Sequence, residues 1–171
     1  MKIKVNPFSV ESIDRAIAEL DEYIESLDAK TNELTRRLTD MGVLRAMDLV
    51  TVYSGEALNS IHGYIEDSGK GIIVADGHCI YIEFGTGVKG EGNPHPSQEW
   101  LSFMNWIYGS GGTIFTTKSG KTGWYYPVNE ERTEWRFTQG IESNPFMYNT
   151  VQYLKEELNN VAKEVFTSDS E

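Results

Sequence analysis

Apolar residues in the first quarter of the chain keep one rhythm. Val10, Ile13, Ile17, Leu20, Ile24, Leu27, Leu34, Leu38 and Met41 fall three or four positions apart, with Thr31 in the one polar slot. That spacing lays a stripe along one side of an α-helix. Ser9 is placed to cap its start, Glu11 and Asp14 lie in the first turn, and Gly42 is the expected stop. A helix of that length spans roughly 45–50 Å, so it either packs along the whole domain or meets a neighbouring subunit in part. Val43 to Val50 then reads as a short helix or a lead into Thr51-Val52-Tyr53.

From Ser60 the period changes to two. Ile61, Gly63 and Ile65 alternate with His62, Tyr64 and Glu66, the turn Asp67-Ser68-Gly69-Lys70-Gly71 follows, and Ile72 to Ala75 supplies a β-branched return strand. Asp76-Gly77 ends this hairpin, and Cys79 to Phe84 reads as a further strand entering a turn at Gly85. Residues 85 to 123 are rich in glycine, with a short helical element expected between Trp100 and Tyr108, flanked by two loops that include Gly109-Ser110-Gly111-Gly112. Trp124 to Val128 and Thr133 to Thr138 form two strands joined by a charged turn, and Ile114 to Thr117 is expected to pair with them. Asn144 before Pro145 opens a last helix, along which Val151, Leu154, Leu158, Val161 and Val165 repeat the helical spacing. Thr167 to Glu171 is a polar tail expected to fray. The class is α+β: a small antiparallel β-sheet covered by a long N-terminal helix and a C-terminal helix, with a glycine- and aromatic-rich insert at about 87–123. One domain is expected over residues 1–171.

Charge narrows the partners. With 15 Lys+Arg against 26 Asp+Glu, the net charge is −11, which repels phosphates and disfavours sequence-independent DNA binding. The apolar share of 39%, with 12% aromatic, suffices for a core. One cysteine, Cys79, allows no internal disulfide. No run reaches the roughly 18 apolar residues of a membrane span, and no signal-peptide core opens the chain, so a soluble protein made in the cytoplasm is expected.

Motifs for chemistry are few. Adjacent His78 and Cys79 would face opposite ways on a strand, His95 lies between Pro94 and Pro96, and the chain holds no Cys-x-x-Cys, His-x-His or His-Glu-x-x-His pattern. Gly120-Lys121-Thr122 resembles the end of a phosphate loop, but Phe115 stands where that loop needs its first glycine. A small hydrolase would have to combine Glu83, His95 and the acidic turn at Glu130, Glu131 and Glu134. A carbohydrate- or partner-binding module would need Trp100, Trp106, Trp124 or Trp135 in one exposed patch, whereas a thin core or a subunit contact would also use them. No catalytic, cofactor or metal residue is assigned.

One ordered set of segments goes further. Ser54-Gly55-Glu56-Ala57-Leu58-Asn59-Ser60-Ile61 precedes the hairpin, Tyr81-Ile82-Glu83-Phe84-Gly85-Thr86-Gly87 follows it, and Gly140-Ile141-Glu142-Ser143-Asn144-Pro145-Phe146-Met147 opens the last helix. This order resembles the phage tail-component family typified by the gene 10 product of a lambdoid coliphage, over roughly residues 10–166. Gly123 to Pro127, leading to Trp135 and Phe137, resembles an insert of such proteins from phages of Gram-positive hosts. Ser54, Glu56, Asn59 and the long insert from Gly87 to Gly123 depart from the family pattern.

The resemblance implies a non-enzymatic virion structural protein without metal or cofactor. It would be a ring-forming subunit at the head–tail junction or tail terminus, serving tail completion or head–tail joining. The implied partners are further copies in a ring, a hexamer among the candidates, and the connector, neck and tail-tube proteins. DNA would pass through the ring without specific binding. The implied location is the virion neck or upper tail, reached from the host cytoplasm. Glu83, Phe84, Gly85, Thr86, Pro145 and Phe146 are the expected interface or assembly residues. Glu83 is read as a carboxylate able to cap a backbone donor or meet a neighbour's cation, and Gly85 as the site of a sharp turn.

Overall fold

The computed structural model describes residues 2–50, 55–109 and 114–167. The expected lead at Thr51-Val52-Tyr53, Ser54 of the first motif, the loop residues 110–112 and the tail 168–171 lie outside them.

Helix α1 (Val10–Leu49) begins where expected, with the Ser9 hydroxyl accepting the Ser12 N–H at 3.3 Å. It does not stop at Gly42; its 40 residues continue to Leu49, about 60 Å. Gly42 is a packing glycine instead. A Cβ there would stand 2.2 Å from Ile73 Cδ1 and 2.9 Å from Leu154 Cδ1, so its missing side chain lets a strand and the last helix close on α1. After α1 come α2 (Glu56–Ser60) and the hairpin β1 (Ile61–Ile65) and β2 (Gly71–Ala75), paired antiparallel from Ile61↔Ala75 to Ile65↔Gly71. Pairing puts Ile61, Gly63, Ile73 and Ala75 on one side of the hairpin. Gly63 abuts Val43 and Thr39, and Gly71 abuts Thr39, so that side lies on α1.

Cys79–Phe84 is a helix, α3, and not a strand. Cys79, Ile82 and Glu83 are buried together, at the three/four spacing of one helical face. The following glycine-rich stretch holds two further short helices, α4 (Gly87–Gly92) and α5 (Gln98–Phe103). The first of these was expected to be loop. The Ser97 hydroxyl caps α5 by accepting the Trp100 N–H at 3.2 Å.

The strands β3 (Phe115–Thr116), β4 (Thr122–Pro127) and β5 (Trp135–Thr138) form an antiparallel sheet in that order, separate from the hairpin. The chain is thus α+β, with its sheet structure in two pieces. The hairpin lies on α1, and β4 meets α4, where the Trp124 ring faces Gly87.

Helix α6 (Phe146–Thr167) runs antiparallel to α1. The Asn144 side-chain amide, ahead of α6, donates to the Leu49 carbonyl at 3.0 Å, Leu154 meets Gly42, and Glu164 pairs with Arg37 at 3.5 Å. α6 therefore covers only the C-terminal half of α1. Ala46, Val50, Ile61, Cys79, Ile82 and Phe146 form the core beneath them. Among residues 10–29 only Ala16 is buried. This N-terminal stretch, an arm of α1 about 30 Å long, carries an exposed stripe of Ile13, Ile17, Leu20 and Ile24 on either side of the covered Ala16. No helix among the described residues is long and apolar enough to cross a membrane.

Candidate functional site

The six expected assembly residues do come together, in a joint between three segments of the same chain. Gly85 leaves α3 with φ +73°, and a Cβ there would lie 2.6 Å from the Ser143 nitrogen and 2.9 Å from the Ile141 oxygen. Only glycine suits both the left-handed backbone and that approach. Thr86 grips the passing segment from two sides. Its N–H donates to the Ile141 carbonyl at 2.8 Å, and its hydroxyl accepts the Ile141 N–H at 3.2 Å. One turn back, the Ser143 hydroxyl donates to the Glu83 carbonyl at 2.6 Å, and the Asn144 N–H to the Ile82 carbonyl at 2.8 Å. The 82–86 and 141–144 segments, some 60 residues apart in sequence, so satisfy one another's backbone groups.

Glu83 completes the joint. One carboxylate oxygen accepts the Met147 N–H at 2.8 Å; the other accepts the Tyr148 N–H at 3.0 Å and the His95 Nε2–H at 3.1 Å. Met147 and Tyr148 are in the first turn of α6, whose N–H groups have no partner within the helix and carry its positive dipole end. Glu83 is therefore a remote cap of α6. Burial pushes its carboxyl above the ordinary range, and the Met147 and Tyr148 N–H groups and His95 oppose that rise.

His95 was the residue that only the hydrolase reading had joined to Glu83. Pro94 and Pro96 flank it, and its ring lies between Trp100 (stacked, centroids 5.6 Å), Phe84 (4.8 Å) and the edge of Tyr148 (5.4 Å). His95 Nδ1 lies 3.1 Å from the Ser97 nitrogen and 3.3 Å from the Ser97 oxygen; with the shorter contact, Nδ1 accepting the Ser97 N–H, the proton sits on Nε2 facing Glu83. Its backbone N–H donates to the Tyr108 hydroxyl at 3.0 Å. Trp106 extends the cluster, its ring tilted against Phe84 at 5.2 Å between centroids and its indole N–H donating to the Gly85 carbonyl at 3.1 Å.

A hydrolytic dyad needs an imidazole nitrogen free to take a proton from a nucleophile or water. Here both ring nitrogens are engaged, and His95 and Glu83 are 1% and 4% exposed. Glu130, Glu131 and Glu134, the acidic turn of that reading, are exposed between β4 and β5. The pair is built to hold segments together. The same burial affects the expected interface role, because Glu83, Phe84, Gly85 and Phe146 present almost no surface to a second copy. Thr86 and Pro145 are half-buried.

Open clefts border the joint, the largest of them, of about 910 Å³, reaching Ile82 and Ile141 from the side of Ser60 and Asp76. Another, of about 530 Å³, is lined by Cys79, Ile80, Glu83, Trp100, Phe103 and Met147 among others. A third, of about 560 Å³, has Tyr81, Trp106, Trp124 and Tyr126 on its walls. The four tryptophans do not form one exposed patch: Trp100, Trp106 and Trp124 are half-buried, and Trp135 is exposed on the far strand. Among the described residues no three His, Cys, Asp or Glu side chains are grouped to hold a metal ion. His78 precedes α3, so the strand geometry assumed for His78 and Cys79 does not apply.

Trp106, Tyr108 and Tyr148 carry no sign in the sequence of their place at this joint; Ser143 lies in the Gly140–Met147 motif, and His95 is paired with Glu83 only by the hydrolase reading. The only local sign was the Pro-His-Pro triplet, which restricts the backbone around one ring. No protein-family model, curated protein or solved structure matches the chain.

Proposed function

We propose that this chain is a structural subunit of a tailed-phage virion, one copy of a ring at the head–tail junction or the tail terminus that completes the tail or joins it to the head. The arm of α1 is the observation that carries this reading. A protein that worked alone would gain by covering Ile13, Ile17, Leu20 and Ile24, yet these residues form an exposed apolar stripe on a stretch of which, among the described residues, only Ala16 is buried. Such a stripe suits a subunit completed by assembly.

The motif order adds support. The Tyr81–Gly87 and Gly140–Met147 segments fit each other backbone to backbone, so the residues behind the resemblance serve architecture. The polar groups at the joint are spent on holding the fold. The net charge of −11 suits a ring through which DNA passes without adhering. Such a subunit is made in the host cytoplasm and carried in the neck or upper tail.

Native mass spectrometry and negative-stain microscopy test this, with the chain alone and mixed with connector and tail-tube subunits. A closed oligomer or a stable complex with either partner is expected. A strict monomer that binds neither refutes the proposal. The cleft walled by Tyr81, Trp106, Trp124 and Tyr126 favours a second reading, a module that stacks sugars or other flat ligands. Oligosaccharides that leave tryptophan fluorescence unchanged would remove it.

A further inference from the structure

The arm's stripe is not the only bare apolar surface. Antiparallel pairing joins Phe115↔Gly123, Tyr125↔Phe137 and Pro127↔Trp135, which sets Phe115, Tyr125, Phe137 and Trp135 on one face of the β3–β5 sheet. Phe115, Tyr125 and Phe137 contact one another, with centroids 5.5–6.0 Å apart. The opposite face holds Trp124, turned onto Gly87 of the body. Tyr125 and Trp135 are 52% and 53% exposed. Among the described residues, then, one chain presents an apolar ridge on a helix and, elsewhere, a flat aromatic platform.

Charge selects what meets the ridge. Residues 10–29 hold seven acidic side chains (Glu11, Asp14, Glu19, Asp21, Glu22, Glu25 and Asp28) and one basic, Arg15, a net −6. Two such ridges laid together would set like charges along the whole contact, which is unfavourable in either orientation. Residues 114–139 hold Lys118, Lys121 and Arg132 in the turns and Arg136 on the opposite face, against Glu130, Glu131 and Glu134, so the segment is near neutral, a net +1 in a chain of −11, and does not repel an acidic ridge. The platform is thus the better electrostatic match, and exposed aromatics of this kind are enriched at the centres of protein contacts.

We propose that the apolar ridge of α1 in one copy docks on the aromatic face of the β3–β5 sheet of the next copy. The contact is heterologous, so each copy gives one arm and receives one, and the series closes into a ring when the rotation between copies permits. This inference rests on the ring-subunit reading and names the surfaces it uses.

Complementation between variants of the full-length chain tests it. Ile17→Glu/Ile24→Glu spoils the ridge alone and Tyr125→Ser/Trp135→Ser spoils the platform alone; all four residues are exposed, and circular dichroism checks that the fold persists. The wild type is expected to self-associate, and each variant alone to do so at least about tenfold more weakly, a loss of about 1.4 kcal/mol. An equimolar mixture regains one intact contact per pair and gives a 1:1 dimer, seen by native mass spectrometry, that grows no further. Added salt is expected to weaken the wild-type contact, because opposite charges flank it. Association of the platform variant at wild-type strength overturns the proposal, as does tightening by salt or a mixture that fails to dimerise. A wild type that stays monomeric overturns it too, while the ring-subunit reading survives if that monomer binds connector or tail-tube subunits.

Discussion

Replacing Glu83 by alanine removes one group that serves three donors, the N–H groups of Met147 and Tyr148 and the Nε2–H of His95. Loss of the α6 cap costs about 1 kcal/mol and at most about 2. A buried imidazole donor left without an acceptor costs about 1–3 kcal/mol more. Part of this is offset, because an alanine carries no charge to desolvate and the raised Glu83 carboxyl shows that desolvation opposes the native pair. The net loss is about 2–4 kcal/mol, a large share of the 5–15 kcal/mol typical of a folded domain. Urea unfolding followed by circular dichroism reads it directly. With a slope of about 1–3 kcal/mol per M, the midpoint falls by about 1–2 M. Glu83→Gln keeps one acceptor oxygen but turns an amide donor toward another donor, and should lose about 1–2 kcal/mol. A Glu83→Ala midpoint within about 0.2 M of wild type would refute the assignment of Glu83 as a cap. A double-mutant cycle with His95→Ala in which the two losses simply add would refute the coupling of Glu83 to His95.

The glycines and two carboxylates give further tests. Gly85→Ala sets a Cβ against backbone atoms at 2.6 and 2.9 Å on a residue with φ +73°, and should cost at least about 2 kcal/mol. Gly42→Ala meets only the methyl tips of Ile73 and Leu154 and gains about 1 kcal/mol of helix propensity. It should be the milder change, and the reverse ranking in thermal unfolding would sink this account of the two glycines. The pKa of Glu83 lies above its ordinary 4.5 in the folded chain, so the unfolded chain releases that proton first. Stability contributed by Glu83 is present below pH 4.5 and falls as pH rises through the raised pKa. Glu83→Gln should flatten that part of the stability–pH curve; an unchanged slope would contradict it. Glu33 acts in the opposite sense: Arg36 and then Arg37 lower its pKa to about 2, so its small, salt-screened contribution is present above 4.5 and lost as pH falls toward about 2. Glu33→Gln should remove that acid-side loss in low salt.

How much of this was legible in the sequence depended on how local its cause was. The α1 stripe, the β1–β2 hairpin and the β4–β5 pair follow from period and turn residues a few positions apart. Gly42 was misread because a glycine that ends a helix and a glycine that admits a neighbour look the same in one dimension; Ile73 and Leu154 decide between them. Cys79–Phe84 was misread because a short β-branched run fits either period, and because the residue that would have marked the helical face is a buried glutamate. Asn144 was expected to cap the last helix. Its side-chain amide instead reaches the Leu49 carbonyl, and Glu83 takes the N–H groups of Met147 and Tyr148. Glu83 to Thr86 and Pro145-Phe146, expected at an interface between copies, meet at a joint within the chain. Their burial was not legible, because it depends on partners some 60 residues away.

The same heptad stripe meets two fates along α1, and this has a measurable consequence. Residues 37–49 lie under α6 and the hairpin, so their amides open only when the body does. Among the described residues of the arm only Ala16 is buried, so most of its helical stability must come from local terms rather than from packing. Ser9 caps it, and Glu11 and Arg15 stand at the favourable i,i+4 spacing. Against these, Asp21 and Glu25 repel at i,i+4, and Glu19–Glu22, Glu22–Glu25 and Glu25–Asp28 repel at i,i+3, each at about 0.2–0.5 kcal/mol. The local balance is close to zero, so the arm should open for little free energy. Hydrogen exchange of the isolated monomer should be at least about 100-fold faster at residues 14–28 than at residues 38–48, a difference of about 2.7 kcal/mol in opening free energy. Covering the stripe by assembly should slow exchange in the arm and leave the body unchanged. Equal protection of the two halves in the monomer would show that the arm holds itself, and the argument that an exposed stripe calls for a partner would lose its energetic basis.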